Sequence, residues 1–213
     1  MTTRIVAAIA ALATGMLFIA CGGDSDNETP SASPTPPADE APRTPIEAET
    51  GIQPVDDAID ALLAGDTEAV VSQMQYIEVE CAATPVPLYF VPPCGDAPDA
   101  SLIDAFPMAA CEGDNIPRDE AMDGVRQALA GHPERAVYGV YRTAGSSFEE
   151  GFFGRAGPEY AIVLESEAGG SQRGWAVLVN DAGVAGVATG CAEAPADFVT
   201  NWVLTDAVAG PGA

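Results

Sequence analysis

Residues 54–66 read PVDDAIDALLAGD, and this stretch determines how the folded part of the chain begins. Apolar side chains recur along it at intervals of three and four positions, at Val55, Ile59, Leu62 and Leu63. That spacing places them on one face of a helix. Pro54 suits the first turn of such a helix, and Gly65 suits its end. Because Asp66 is a good helix cap, a second short helix is predicted to follow, as far as about residue 75.

The rest of the chain predicts a third helix and a series of strands. The helix is expected over residues 118–130, with Met122, Val125 and Leu129 on its apolar face and Gly131 as its terminator. Runs of apolar and β-branched residues indicate strands at 76–81, 136–142, 160–166, 174–180, 184–189 and 198–204. The sequence NDAG at 180–183 suits a hairpin turn. Because no helices alternate with the later strands, we expect an α+β fold, with helices first and an antiparallel meander after them.

This order of elements resembles the nuclear-transport-factor-2-like superfamily, whose cone-shaped fold is also used by ketosteroid isomerases. The motif match covers only the two short amphipathic helices joined by Leu-Ala-Gly-Asp, from Val55 to Met74. For the remainder of the chain, the resemblance rests on the order of helices and strands. The resemblance implies N-terminal helices packed on a curved antiparallel sheet that closes into a cone. Members of the superfamily use the cone as a ligand pocket or as an interaction surface, so the fold by itself does not decide the function.

The first twenty residues, MTTRIVAAIAALATGMLFIA, have the pattern of an export signal. Arg4 precedes an uncharged apolar stretch at 5–20, which as a helix covers about 24 Å and is shorter than the ~30 Å hydrocarbon core of a bilayer. This length favours a cleaved signal peptide over a permanent membrane span. The ending LFIAC resembles the lipobox of bacterial lipoproteins, although Phe18 stands where leucine is usual. The resemblance implies cleavage before Cys21 and acylation of its thiol, which would anchor the protein to a membrane.

Residues 21–53 are expected to form a disordered stalk. They are rich in Pro, Ser, Thr and acidic residues, and they have too few large apolar side chains to offset the entropy of ordering. The chain therefore resembles bacterial lipoproteins that carry a domain on such a stalk, outside the cytoplasm. The predicted organisation is a signal peptide at 1–20, the stalk at 21–53, one α+β domain at 54–206 and a flexible tail at 207–213. The alternatives are an ordinary secretory signal with a chance cysteine, and a protein-binding proline motif within the stalk.

The chain is strongly acidic, with 32 acidic and 8 basic residues and a net charge of −24. Such a field repels nucleic acid and anionic lipid headgroups, so nucleic acid is excluded as an expected partner. A surface of this composition serves solubility, and a surface that gathers divalent cations is the alternative.

Four cysteines follow the lipobox: Cys81, Cys94, Cys111 and Cys191. An even number in an exported domain favours disulfides, and the C-x₂₋₄-C pair of a zinc site is absent. Of the three possible connectivities we prefer Cys81–Cys94 with Cys111–Cys191, because the first pair closes a proline-rich excursion that could not pack by itself. Four free thiols are the alternative.

Catalytic motifs are missing from the sequence. The single histidine, His132, precedes Pro133 just after the third helix, which indicates an exposed turn residue. There is no lysine, no G-x-S-x-G, no H-E-x-x-H and no calcium-loop pattern, so we assign no catalytic residue, no metal ligand and no cofactor. Tyr76, Tyr138 and Tyr141 are conceivable hydrogen-bond donors inside a cone, but we expect them to pack in the core.

Two loops are unusually apolar: PVPLYFVPP at 85–93, inside the proposed small disulfide, and FEEGFF at 148–153. Their aromatic side chains include Tyr89, Phe90, Phe152 and Phe153. If exposed, these rings would form a contact surface for a partner or an apolar ligand; the alternative is that they cover the core. The sequence therefore favours a tethered, non-catalytic module that binds a small molecule or an envelope protein. An enzyme that uses a cone-shaped pocket without histidine, and a structural envelope protein, are the alternatives.

Overall fold

The computed structural model describes residues 49–84, 91–109, 113–149, 153–168, 170–191, 193–210 and 213. Four helices lie within these ranges: α1 (Gln53–Ala64), α2 (Thr67–Ser72), α3 (Arg118–Ala130) and α4 (Pro195–Asn201). The strands are β1 (Ile77–Glu80), β2 (Leu102–Ala109), β3 (Gly113–Pro117), β4 (Arg135–Arg142), β5 (Tyr160–Ala168), β6 (Ser171–Asn180), β7 (Gly183–Ala188) and β8 (Ala207–Ala209). A 3₁₀ turn, Phe153–Ala156, precedes β5. The predicted α+β class is confirmed.

The chain is ordered from before α1. The carboxylate of Asp56 accepts hydrogen bonds from the backbone N–H and the hydroxyl of Thr50, at 2.8 and 2.7 Å, and from the N–H of Gly51 at 3.1 Å. These bonds hold the chain against the first turn of α1. The expected stalk boundary at residue 53 is therefore wrong by a few residues, because Thr50 already belongs to the folded body.

The predicted helix ends of α1 and α2 are present. Gly65 has a φ of 68°, the left-handed conformation that glycine adopts most easily, and its N–H bonds to carbonyls at the end of α1. The side chain of Asp66 accepts the N–H of Ala69 at 3.0 Å and so caps α2. Both turns follow from the sequence, since each uses the residue type that its backbone geometry requires.

Helix α3 packs on the sheet with one face and on α2 through an ion pair. Val125 and Leu129 are buried as predicted, but Met122 is 39% exposed and is not on the buried face. Ala121, one position earlier, is fully buried in its place. The guanidinium of Arg126 contacts the carboxylate of Glu68 with two bonds of 2.8 and 2.9 Å, and the hydrogen bond lowers the pKa of that carboxyl.

The eight strands of the described residues form one open, curved sheet in the order β1-β2-β7-β6-β5-β4-β8, and β3 pairs with β2. All pairings are antiparallel except β2–β7, which is parallel through Met108–Val187 and Ala109–Ala188. The meander is thus confined to β4–β7. The predicted turn at 180–183 joins β6 to β7, and the side chain of Asn180 accepts two of its backbone N–H groups.

Each face of the sheet carries its own hydrophobic cluster, because neighbouring strand residues point to opposite faces. Along β5, Ile162 and Leu164 lie in the cluster that packs under α1–α3. Ala161 and Val163 lie in the cluster beneath α4 and the 3₁₀ turn. Within the described ranges, no helix is both long and apolar enough to cross a bilayer.

Two predictions near the C-terminus are wrong. Residues 198–204, expected as a strand, belong mostly to α4, because Pro195 opens a helix and Phe198 is then fully buried beside Phe148. Residues 207–209, expected in a flexible tail, form β8, which pairs with β4 through Tyr141–Ala207. The strands β2 and β3 were not predicted from the sequence.

Candidate functional site

A disulfide shapes the region between β1 and β2. Cys81 and Cys94 are bonded, as preferred from the sequence, with a Cα–Cα distance of 4.9 Å. The N–H of Ala82 donates to Pro92 at 3.0 Å, and the N–H of Cys94 donates back to Ala82 at 3.1 Å. Cys191 is also disulfide-bonded, and its partner lies outside the described residues, as does Cys111.

Next to this disulfide lies a groove of about 640 Å³, here called the acidic groove. Three segments form it: the chain around Cys94, the outer part of β2 and the first turn of α3. Its lining residues are Pro93, Cys94, Gly95, Asp96, Ile103, Asp104, Pro117, Arg118, Asp119, Glu120 and Met122. Among the described residues, apolar surface therefore meets four carboxylates and a single arginine in this groove.

The arginine in the acidic groove is already engaged. Arg118 forms an ion pair of 2.8 Å with Asp104, and its guanidinium lies 4.5 Å from the ring centre of Tyr76. The carboxylates of Asp96, Asp119 and Glu120 form no ion pair among the described residues. The groove is therefore negatively charged, and it can attract a cation while it offers apolar side chains such as Met122 to the rest of a ligand.

A second group of polar side chains surrounds His132, which sits after the C-terminus of α3. A hydrogen bond of 2.6 Å joins its Nδ1 to Oγ of Ser166, and its ring stacks on Trp175 at 5.0 Å. The imidazole is half-buried, so the prediction of an exposed turn residue is wrong. The stacking and hydrogen bond explain the difference, because both pull the ring onto the sheet. Ser166 is only 3% exposed and is not presented as a nucleophile.

Two arginines flank Ser166 across the sheet. Ser166 of β5 is directly opposite Arg135 of β4 and Arg173 of β6, so all three lie on one face. We call these three residues the arginine row. Burial lowers the pKa of His132, and the charges of Arg135 and Arg173 lower it further. Burial also lowers the pKa of Arg135.

At the arginine row and the neighbouring Trp175, some nitrogen donors have no acceptor among the described residues. Among the described residues, neither Arg135 nor Arg173 forms an ion pair. The buried Nε of Arg173 and the buried Nε1 of Trp175 have no hydrogen-bond partner in the part of the chain that the structure describes. No sequence motif signals this group, since its members come from separate elements and meet only once the strand register is known.

A depression of about 310 Å³ lies at the same end of the sheet, and Glu134, Glu165 and Glu167 line it together with Arg135, Ser166, Ala136 and Gln172. Residues 165 and 167 alternate with Ser166 along β5, so they point to the opposite face. Glu165 and Glu167 therefore point away from the arginine row, and no ion pair joins Glu134 to Arg135 among the described residues.

The predicted aromatic contact surface is wrong for Phe153, the one of its four residues that the structure describes. Phe153 is 1% exposed and lies in the cluster beneath α4, so it is a core residue. Its ring meets Phe148 at 5.4 Å, and Phe148 stacks on Trp202 at 4.3 Å. Tyr89, Phe90 and Phe152 lie outside the described residues, as does the lipidation candidate Cys21.

The three tyrosines considered as donors occupy different positions. Tyr138 and Tyr141 are 8% and 2% exposed and belong to the cluster beneath α4, which is the core role expected for them. Tyr76 is half-buried and packs edge-on against Phe106. The described ranges contain no group of three or more His, Cys, Asp or Glu side chains arranged to hold a metal ion.

Compared with known protein families and with curated proteins, the chain matches none.

Proposed function

We propose that this protein is a membrane-tethered binding module outside the cytoplasm, and that its acidic groove binds a small organic cation with an apolar body. The observation that carries the proposal is the groove itself. Four carboxylates and the apolar side chains of Pro93, Ile103 and Met122 line about 640 Å³, and the one arginine among the described lining residues is paired with Asp104.

The size and chemistry of the acidic groove suit such a ligand. Small-molecule sites commonly have about 300–1,000 Å³, mostly apolar walls and a few well-placed polar groups. Hydrogen bonds from an ammonium group to carboxylates are stronger than those between neutral groups. The apolar walls would take the hydrocarbon part of the ligand, which stabilises the complex by removing that surface from water.

The groove is held in shape by the chain around the disulfide. Besides the Cys81–Cys94 bond, the N–H of Ala83 donates to the carboxylate of Asp99 at 2.8 Å, and the N–H of Cys81 donates to Ser101 at 2.9 Å. A wall that is already ordered loses little conformational entropy when a ligand binds. This favours a binding role over a purely structural one.

The tether rests on the sequence. The apolar run that ends in Ile19-Ala20-Cys21 supports cleavage before Cys21 and acylation of its thiol. Two or three acyl chains hold a protein stably at a membrane, whereas one holds it only marginally. Mass spectrometry of the membrane-extracted protein tests this: a free Cys21 thiol, or residues 1–20 still attached, would refute the tether.

We also propose kinship with the nuclear-transport-factor-2-like superfamily. Three helices on one face of a curved sheet, with the first two joined at Gly65-Asp66, support it. This kinship is compatible with a binding role or with an enzyme, so it does not replace a ligand test.

The ligand test is calorimetry at pH 7 on the full-length chain with benzylammonium as the cationic probe and ethylbenzene as its neutral analogue of equal shape. We expect saturable binding of the cation and much weaker binding of the analogue. Replacing two rim carboxylates, Asp119→Asn with Glu120→Gln, should weaken binding of the cation by about tenfold or more. The matched control, Asp60→Asn with Asp181→Asn, removes the same charge from exposed sites elsewhere and should leave affinity nearly unchanged.

Three results would count against the proposal. Equal binding of the cation and the neutral analogue would show that the carboxylates do not contribute to the affinity. Undiminished binding by the Asp119 and Glu120 variant, with its thermal stability retained, would place the cation elsewhere. No binding of either probe would favour a structural envelope role.

A further inference from the structure

We propose that the arginine row, Arg135, Ser166 and Arg173, is a second binding site that takes an oxyanion, either a carboxylate or a phosphate group, and that His132 gains a proton when the anion binds. The site is separate from the acidic groove and shares no residue with it. A negative result for one proposal therefore does not count against the other.

The geometry of the row suits an oxyanion. Arg135, Ser166 and Arg173 occupy directly opposed positions on three adjacent strands. Since neighbouring strands are about 4.8 Å apart, the two arginine backbones are separated by roughly 10 Å, with the serine between them. Two long guanidinium side chains on one face can then close on a group placed between them, beside the imidazole of His132. Guanidinium groups match carboxylate and phosphate oxygens in geometry as well as in charge.

The charges around the row favour the binding of an anion. The chain has 32 acidic residues, and three arginines each pair with at least one carboxylate: Arg118, Arg126 and Arg142. Arg135 and Arg173 are half-buried, and yet neither forms an ion pair with a described residue. An arginine that is partly removed from water without a counter-ion is disfavoured, so an anion there would stabilise the fold.

Two buried donors give an independent reason to expect an acceptor at this place. Nε of Arg173 and Nε1 of Trp175 are both buried, and neither has a hydrogen-bond partner among the described residues. Trp175 lies two residues after Arg173 and therefore on the same face of β6. A buried donor that lacks an acceptor costs free energy, and an oxyanion offers several acceptor lone pairs.

His132 adds proton coupling to the site. Its ring is held by Ser166 of β5 and stacks on Trp175 of β6, while the charges that act on it come from Arg135 of β4 and Arg173 of β6. Burial and these two cations lower its pKa, so the imidazole is neutral in the free protein at pH 7. The C-terminal end of α3 acts in the opposite direction, because its carbonyls favour a cation. An anion that neutralises the arginines would therefore raise the pKa of His132.

The experiment follows the imidazole directly, since the chain has one histidine. The full-length protein, labelled with ¹⁵N and carrying a histidine-free purification tag, is titrated with acid in an NMR spectrometer. Three conditions of equal ionic strength are compared: sodium chloride, sodium phosphate and sodium acetate. We expect the pKa of His132 to be below its ordinary value in chloride and to rise saturably, by about 0.5 or more, with phosphate or acetate.

The variants identify the binding groups. Arg135→Gln and Arg173→Gln should each raise the pKa of His132 in chloride and abolish its response to phosphate and acetate. Arg155→Gln removes the same charge from an exposed position in the 3₁₀ turn, and it should keep the full response.

A response to phosphate alone assigns the ligand to phosphate esters, and a response to acetate alone assigns it to carboxylic acids; either supports the proposal. An equal response in all three salts would overturn it, as would a retained response in Arg135→Gln or Arg173→Gln. If these two variants do not fold, the comparison of the three salts on the unaltered chain decides the question.

Discussion

His132 and Trp175 stack face to face, with ring centroids 5.0 Å apart and ring planes 16° apart. The contact ties the turn after α3 to β6, because Trp175 is fully buried in the core that α1–α3 cover. Ser166 holds the same imidazole from β5. The histidine therefore connects a helix to two strands, and its protonation is expected to affect the stability of the fold.

The first prediction concerns pH. The folded pKa of His132 is below its unfolded value of 6.5, so the unfolded chain takes up a proton at a higher pH than the folded chain does. The contribution of His132 to stability is therefore complete above pH 6.5 and is lost as the pH falls toward the folded pKa. We expect His132→Gln to remove part of the fall in Tm between about pH 7.5 and about pH 5.5.

Circular dichroism melting curves of both proteins in chloride check this prediction. The other titrating groups remain in the variant, so the difference between the two pH profiles belongs to His132. An identical fall in Tm for the variant would show that the imidazole is not held in its neutral form.

The second prediction concerns the disulfide. The bond closes a segment with a sequence separation of 13 residues. For a loop of this length the chain-entropy model gives a stabilisation of about 3 kcal/mol. Replacing both cysteines, Cys81→Ala with Cys94→Ala, should therefore lower Tm by about 6–12 °C for a body of this size. Calorimetry under non-reducing conditions measures the difference, and an unchanged Tm would contradict the stabilising role.

The third prediction separates core from surface. Phe153→Ala should reduce the free energy of unfolding by about 3–5 kcal/mol, because the ring is buried and leaves a cavity. Leu63→Ala is the control: its side chain is 47% exposed, so the change should stay within about 0.5 kcal/mol. Urea denaturation measures both. A loss below about 1 kcal/mol for Phe153→Ala would contradict the burial of this ring in the core.

The fourth prediction concerns two glycines with different surroundings. A Cβ on Gly174 would approach the Cβ of Phe198 at 2.7 Å and the Cα of Pro195 at 2.8 Å. Gly174→Ala must therefore push α4 away from β6, and we expect a loss of about 2 kcal/mol or more. A Cβ on Gly124 of α3 would meet only the flexible side chain of Met108, with its sulfur at 3.2 Å.

The matched substitution Gly124→Ala should be neutral or stabilising by up to about 1 kcal/mol, since alanine is the better helix former. Both variants are compared by urea denaturation. Equal stabilities would mean that α4 is not docked as tightly as the contact with Gly174 requires.

The sequence predicts those elements whose ends are set by local chemistry. Helix α3 is predicted over the residues that form it, because apolar spacing and Gly131 define it without help from the rest of the fold. The α1–α2 corner follows in the same way from Gly65 and Asp66. The hairpin between β6 and β7 is also local, since Asn180 bonds to the backbone of its own turn.

Prediction fails where distant contacts decide the structure. Residues 198–204 have the β-branched and aromatic composition of a strand, but Phe198 is buried against the opposite side of the sheet from α1–α3, and this contact favours α4. Strand β2 contains Pro107 and lacks regular alternation, so only its partners reveal it. The arginine row is also non-local, because the register of three strands brings Arg135 near Arg173.

The parallel pairing of β2 with β7 has a consequence for the folding pathway. It rests on two residue pairs, Met108–Val187 and Ala109–Ala188, each separated by about eighty positions along the chain. Closing so long a loop costs more entropy than closing the hairpins β4–β5, β5–β6 and β6–β7, which join neighbours in sequence. The hairpins are therefore expected to form early, and β2 to dock on β7 late. A chain that ends before residue 187 cannot make this contact, so during synthesis the sheet is completed only near the end of the chain.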